Sequence, residues 1–324
     1  MGNENVRVSN LRTLVVGCTP LARKVVSLLD DISDLIGVVN LTPLKGVLKS
    51  NYDCMSSFAK ENSYNIFWTE DINNRKTLDW IKGRKPEVIV QCGWSQIFKP
   101  ELLSIPAKYC IGIHPSPLPV GRGAAVINWK IIESNQRSVE WGNSLFIMEE
   151  ETDTGDILDS EPFTIDARDD VKTAYLKVDK TSIDMLKRTI PKIADGSISS
   201  SPQDNSKATR YRRRSPKDGK IDHSWPVNKT ASFVRALTHP YPGAFLETNY
   251  GKIFIWKMAP QKFHWQSQEA GKVMSISKEG LLISLSRGEA MSIGRVSNEE
   301  NIEMWADDWA REVGISVGDK LFND

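Results

Sequence analysis

Short β-branched runs alternate with amphipathic stretches through the first third of the chain, and that alternation leaves few folds open. Leu11–Gly17 (LRTLVVG) is apolar and closes on a glycine, after which Thr19-Pro20 opens the amphipathic Leu21–Leu29. The change of period from two to 3.6 reads as strand, turn and helix. Leu35–Leu41 then reads as a strand, Thr42–Asn51 as a turn-rich loop, Met55–Asn62 as a helix, Tyr64–Trp68 as a strand and Arg75–Lys82 as a helix. Pro86–Cys92 (PEVIVQC) is almost continuously apolar, as expected of a strand covered on both faces. Pro100–Ile105 makes a helical turn, and Tyr109–Ile113 is the next strand. The class this predicts is α/β, with an N-terminal doubly wound, mostly parallel, Rossmann-like sheet. Ligands of such sheets sit outside the carboxyl ends of the strands. Gly93-Trp94-Ser95 and His114 fall at two of those ends.

Farther along, Ala124–Glu133 reads as a helix, Glu140–Ile147 as a strand, Glu149–Gly155 as an acidic loop and Asp169–Ile193 as a helix. Asp195–Ala208 is polar and Ser-rich and reads as a linker, followed by the basic run Arg210–Arg214. Beyond it the pattern changes. Val227–Leu237 is helical, His239–Gly243 is a turn, and Ala244–Val296 breaks into consecutive short strands, which predicts a small C-terminal β-barrel, OB-like. Met304–Leu321 reads as a short helix and a turn. The expected division is a domain over residues 1–204 and a linker plus barrel over 205–324.

With 324 residues, 40% hydrophobic and 26% charged, the chain can hold one large or two ordinary domains with a sizeable core. A net charge of +1 provides no global field to recruit nucleic acid or an anionic membrane. No apolar run is long enough to span a bilayer, and Met1–Thr13 shows no secretory leader. Met-Gly-Asn-Glu-Asn-Val also lacks the Ser or Thr at the sixth position that myristoylation requires. Cys18, Cys54, Cys92 and Cys110 lack the close spacing of a zinc site; three of them border apolar runs, which predicts reduced, buried thiols in a cytoplasmic protein. Gly17-Cys18-Thr19-Pro20 is a plain turn, and no phosphate-cradling glycine motif predicts a dinucleotide or ATP site.

The chemistry concentrates between Cys110 and Leu158, from CIGIHPSPLPVGRGAAVINWKII to MEEETDTGDIL. Taken alone, a histidine is most often a packed or surface side chain. Here Pro115, Pro117 and Pro119 stiffen the turn after His114, and Gly121 and Gly123 let backbone approach closely around Arg122. A histidine on a rigid loop after a buried strand is well placed for general acid–base work.

These same residues resemble the formyltransferase superfamily that uses 10-formyltetrahydrofolate. The family pattern, roughly N-x-H-x-S-L-L-P, RGAAP, N-W and D-x-G, stands here as Gly112-Ile113-His114-Pro115-Ser116-Pro117-Leu118-Pro119, Arg122-Gly123-Ala124-Ala125, Asn128-Trp129 and Asp153-Thr154-Gly155-Asp156. The likeness runs from about Leu11 to Leu321. Arg212–Pro226 and Val234–Phe245 are most similar to amino-sugar N-formyltransferases, such as the formyltransferase domain of the bifunctional polymyxin-resistance enzyme; methionyl-tRNA formyltransferases share the architecture. The resemblance implies that His114 shuttles protons and Asp153 is its carboxylate. It also implies that Ser95, Gln96 and Ile97, then Ser116, Pro117, Leu118 and Pro119 with Arg122, and then Glu149, Glu150, Glu151 and Thr152, line a folate pocket.

The departure from the pattern is Gly112, which stands where the family has the asparagine that supports the oxyanion. Losing one such donor typically costs about 10²–10³ in rate. Asn128, Asn143, Ser116 or a backbone N–H could substitute, with Asn128 taken as the third catalytic residue. Alternatively, the acceptor amine is reactive enough without it, or the chain binds folate and catalyses nothing. The implied reaction is formyl transfer from 10-formyltetrahydrofolate to the amine of a nucleotide-linked amino sugar. Methionyl-tRNA and a small amine such as hydroxyornithine are the alternative acceptors. A homodimer is left open, and no membrane partner is expected.

Overall fold

The computed structural model describes residues 9–262, 269–285 and 288–322. Residues 1–8, which carry most of the leader and acylation readings, lie outside that range. By their contacts the residues form two units. One runs through Val126 and adds Glu140–Thr164 and Leu176–Arg212; the other takes Ile127–Val139, Ile165–Tyr175 and the chain from Arg213 onward.

Up to Tyr211 the elements are β1 (Arg12–Gly17), α1 (Pro20–Ile32), β2 (Asp34–Leu41), α2 (Pro43–Gly46), α3 (Ser56–Glu61), β3 (Ile66–Thr69), α4 (Arg75–Arg84), β4 (Val88–Cys92), α5 (Pro100–Leu103), β5 (Tyr109–His114), β6 (Arg122–Gly123), α6 (Val126–Ser134), β7 (Val139–Ile147), β8 (Ile157–Ile165), α7 (Val171–Asp195) and β9 (Arg210–Tyr211). The main sheet has seven strands in the order β3-β2-β1-β4-β5-β7-β8. Its first five strands pair in parallel, and β7 runs antiparallel to β5, so the sheet is mixed but mostly parallel, as expected.

Why these segments become central strands is visible in their burial. Five of the six residues of β1 and of β5 are buried, because helices cover both faces. One face joins Val15, Val38, Val90, Ile111 and Leu145 to α1 and to Met185, Leu186 and Ile190 of α7. The other joins Leu14, Val16, Ile89 and Cys110 to Leu78 and Ile81 of α4, with Phe98 and Leu102. Each fully buried side chain of this kind stabilises by about 1.5–3 kcal/mol relative to exposure. Gly17 is a packing requirement, since a Cβ there would lie 2.4 Å from the Cys92 carbonyl oxygen and 2.5 Å from Cβ of Ala22.

Two features depart from the reading of the sequence. β8 (ILDSEPFTI) was not anticipated; it lies at the sheet edge, where charge replaces the apolar alternation that marks a strand. Arg188 of α7 ties it down, binding Asp159 at 2.5 Å and Glu161 at 2.6 Å. The stretch taken for a linker is also built into the first unit. Ser201 bridges Ile157, and the segment leads into β9, which pairs in parallel with β6.

The second unit has α8 (Val227–Leu237), β10 (Ala244–Thr248), β11 (Gly251–Lys262), β12 (Val273–Ser277), β13 (Gly280–Ser284), β14 (Glu289–Ser297), β15 (Glu303–Trp305) and α9 (Ala306–Glu312). Its strands form one six-stranded antiparallel sheet, β10-β11-β14-β13-β12, with β15 on β14. The consecutive short strands that the sequence predicted are present, and they pair antiparallel. Val227, Ala231, Phe233, Val234 and Leu237 form the buried side of α8. Its first backbone N–H donates to the Glu289 carboxylate at 2.9 Å, an anion at the positive end of a helix. Among the described residues no helix is long and apolar enough to cross a membrane.

Candidate active site

The site is built on the carboxyl end of β5. His114 is the last residue of that strand and is only 6% exposed. The turn after it is pinned from several directions. The Ser116 N–H donates to the His114 carbonyl (2.8 Å), the Trp141 indole to the Pro115 carbonyl (2.8 Å) and the Ser144 hydroxyl to the Ser116 carbonyl (2.7 Å). The Leu118 N–H in turn donates to Ser144 Oγ at 3.1 Å. The stiffness expected from the prolines is therefore reinforced by β7.

Nε2 of His114 lies 2.8 Å from the Gly121 carbonyl oxygen, which can only accept, so this nitrogen carries the hydrogen. In the neutral ring Nδ1 then keeps its lone pair, and it faces Asp153 Oδ1 at 3.7 Å. That separation is longer than a hydrogen bond and inside ion-pair range. A proton taken up at Nδ1 therefore arrives beside a carboxylate, where its charge is met.

Asp153 reaches the histidine because the acidic loop doubles back across β5. Met148 N–H donates to the Cys110 carbonyl at 2.7 Å, four residues before His114. Asp153 then takes a left-handed conformation, φ 63°, which an aspartate tolerates better than most residues. Its Oδ2 accepts from the Gly123 N–H at 2.8 Å, and its carbonyl accepts from Gln203 at 2.9 Å. Gly155 allows the loop to close, since a Cβ there would lie 1.8 Å from the Ile147 carbonyl oxygen.

The structure sorts the remaining expected site residues. Gln96 spends its amide on the loop after β3, accepting from Ile72 N–H (2.9 Å) and donating to the Glu70 carbonyl (2.7 Å). Ser95 and Ile97 beside it are exposed, Ile97 at 64%. Glu149, Glu150 and Glu151 are exposed and Thr152 is half-buried; Arg210 donates to the Thr152 carbonyl at 3.3 Å. Arg122 is buried, and its guanidinium donates to Gln203 Oε1 at 3.2 and 2.8 Å and to Asn205 Oδ1 at 2.7 Å. Asn128 falls in the second unit, fully buried, with its amide donating to the Ala236 carbonyl at 2.6 Å. Asn143 donates to α7, at Val178, Thr181 and Ser182. Both asparagine donors are thus committed within the protein. Ser116 Oγ and Trp94 Nε1 are buried and have no hydrogen-bond partner.

Sequence reasoning missed Gln203, Asn205 and Thr209. Thr209 Oγ1 accepts from the Gly121 N–H at 2.8 Å, so it bears on the carbonyl that holds His114. No local signal marks these residues; in a polar, Ser-rich stretch they look solvated. The thiols behave as expected. Burial pushes Cys18, Cys92 and Cys110 up from the ordinary thiol range, while exposed Cys54 is lowered by its hydrogen bond with Ser56. Among the described residues no cluster of three or more His, Cys, Asp or Glu is gathered that could hold a metal ion.

A mostly parallel α/β domain with a histidine at a strand end and an aspartate on the loop beside it, followed by an antiparallel domain, is an architecture suited to a group-transfer enzyme. The chain belongs to the formyltransferase family. Residues 44–190 match the formyl transferase family and residues 213–314 match its C-terminal domain. It is 30% identical over 260 residues to a methionyl-tRNA formyltransferase of Bacillus licheniformis, covering 80% of both chains. Among solved structures it is similar to HypX from Aquifex aeolicus in complex with tetrahydrofolic acid (TM-score 0.68, 17% identity, 95% of this chain), though it spans only 48% of that one. It is also similar to an N-formyltransferase from Helicobacter canadensis in complex with folinic acid and dTDP-3-aminofucose (TM-score 0.66, 18% identity, 87% of this chain and 98% of the other).

Proposed function

We propose that this protein transfers the formyl group of 10-formyltetrahydrofolate to the primary amine of a nucleotide-linked amino sugar. The observation that carries the reading is the Nδ1 of His114 facing Asp153 Oδ1 at 3.7 Å while Nε2 is tied to Gly121. Formyl transfer needs a single group that takes one proton and returns it. The amine adds to the formyl carbon and forms a C–N bond, and its excess proton passes to Nδ1. Asp153 holds the resulting imidazolium. His114 then returns the proton to the folate N10 as the C–N10 bond breaks, leaving an N-formyl amine and tetrahydrofolate.

Folate recognition is supported by two buried polar atoms without partners, Trp94 Nε1 and Ser116 Oγ, which lie just past the ends of β4 and β5. Each leaves a donor that a ligand's acceptor atom could meet. Ser116 is also the remaining side-chain donor for the oxyanion, since Asn128 and Asn143 are engaged elsewhere. The pocket we assign to folate comprises Ser95–Ile97, Ser116–Pro119 and Glu149–Thr152, with Arg122 behind it.

The choice of acceptor rests on the likeness of Val234–Phe245 to the sugar enzymes and on the net charge of +1. Methionyl-tRNA is the second reading, favoured by the relative that is 30% identical over 80% of the chain. The test is direct: incubate the protein with 10-formyltetrahydrofolate and either a panel of nucleotide-linked amino sugars or methionyl-tRNA, and follow tetrahydrofolate release. Faster turnover of an amino sugar supports the proposal, and faster turnover of methionyl-tRNA replaces it. Folate binding with no turnover of any acceptor would mean a binding protein without catalysis.

A further inference from the structure

The geometry points to Gln203 as the positioning residue of the histidine–carboxylate pair, acting through the backbone of the Asp153 loop and itself held by the buried cation of Arg122. The inference rests on the roles proposed above for His114 and Asp153.

Gln203 follows α7 in the stretch whose composition suggested a linker. Its amide nitrogen donates to two carbonyls of the acidic loop at once, Asp153 at 2.9 Å and Gly155 at 2.7 Å. Its amide oxygen faces the other way and accepts from both Nε and Nη2 of Arg122, at 3.2 and 2.8 Å. Arg122 is 6% exposed, and among the described residues no carboxylate lies within ion-pair range of it; two amide oxygens, from Gln203 and Asn205, meet its charge. A buried cation left to neutral acceptors is an uncommon arrangement, since a carboxylate would pair with it better. A glutamate at 203 would do so, but it could not donate to the two carbonyls and would set a second negative charge near Asp153. The residue has to donate on one side and accept on the other, and a glutamine does both.

The device has a defined output. Asp153 sits in the left-handed region, φ 63°, so its carboxylate direction depends on how its peptide is held. Gln203 holds that peptide from one side, while Ile147 crowds Gly155 from the other. The Gly123 N–H then fixes Oδ2 at 2.8 Å, which leaves Oδ1 for His114. Arg122 and Gly123 are neighbours in β6, so the strand that braces Gln203 also supplies the carboxylate's own donor. Displacing reacting groups by about 1 Å costs on the order of 10² in rate.

The experiment compares Gln203→Glu and Gln203→Met with Asp153→Asn and the double variant Asp153→Asn/Gln203→Glu, in the whole protein. Gln203→Glu keeps a partner for Arg122, and Gln203→Met keeps the volume without the donor. We expect both to lower kcat by about 10² with KM for the folate nearly unchanged. The double variant should be no slower than Asp153→Asn alone, because both changes act on one carboxylate. Amide hydrogen exchange gives a readout that needs no turnover: the Gly123 N–H, whose acceptor is Asp153, should exchange faster in both Gln203 variants. Additive losses in the double variant, or unchanged exchange at Gly123, would overturn the positioning role. His114→Asn and Asp153→Asn with undiminished turnover would instead overturn the proposed function, so the two failures are distinct.

Discussion

The ring of Phe146 occupies the space that a side chain at Gly112 would need. The two residues face each other across β5 and β7, and a Cβ on Gly112 would lie 2.5 Å from Phe146 Cε1 and 2.7 Å from Cζ, with Met148 next at 3.1 Å. The sequence shows a missing asparagine at this position, and the structure shows that its place is filled. Gly112→Asn should therefore crowd the site. We expect it to destabilise by about 1–3 kcal/mol, the usual range for overpacking, and to lower formyl transfer. Gly112→Asn/Phe146→Ala should recover part of the stability. Thermal denaturation of the three proteins decides the matter: a single variant as stable as the parent, and faster, would mean the space is open.

His114→Asn removes the imidazole that faces Asp153. An asparagine cannot carry the proton. Turnover should fall by at least about 10² with the melting temperature close to the parent's. Single-turnover measurement of tetrahydrofolate formation checks it, and a loss below tenfold would remove His114 from the proton path.

The proposed mechanism gives Asp153 a catalytic role beside its structural one. Asp153→Asn keeps an acceptor for the Gly123 N–H and tolerates φ 63°, so it should fold normally and lose rate through the missing charge. Asp153→Ala loses the acceptor and places an intolerant residue in the left-handed region, so it should lose stability as well, by about 1–2 kcal/mol. Denaturant titrations of the pair test this, and equal stabilities would show that the carboxylate does not anchor the loop.

Gly155→Ala should be more disruptive than its size suggests. The added carbon would sit 1.8 Å from a strand carbonyl, which can move only with the backbone of β7. Loss of both stability and turnover is expected, whereas a near-neutral result in thermal denaturation would show that the loop can be rebuilt.

The thiols give a chemical test of burial. Native protein treated with iodoacetamide near neutral pH should gain one adduct, at Cys54. Cys18, Cys92 and Cys110 are buried and their thiols are pushed up by desolvation, so little thiolate is available. Intact-mass measurement showing three or four adducts without unfolding would contradict the packing of the parallel sheet.

Much of this molecule is legible in its sequence, because much of it is local. The parallel strands announce themselves as apolar β-branched runs, since burial on both faces selects such residues whatever the partner strand is. The turn after His114 is written in its prolines and glycines, and the antiparallel domain in its closely spaced short strands. What the sequence could not give depends on pairs of ordinary residues far apart in the chain. Arg122 and Gln203 are 81 residues apart, and Gly121 and Thr209 are 88 apart. Neither glutamine nor threonine carries a local mark of its partner, so a polar stretch that braces a site looks the same as one that is solvated. β8 escaped for a related reason: an edge strand gives up its apolar alternation to stay soluble. Asn128, Asn143 and Gly112 show the same division, since residue type names a capable donor or a vacant position. Only tertiary contact decides whether that donor is already bound, to Ala236 or to α7, and whether the vacancy is filled by a ring from the facing strand.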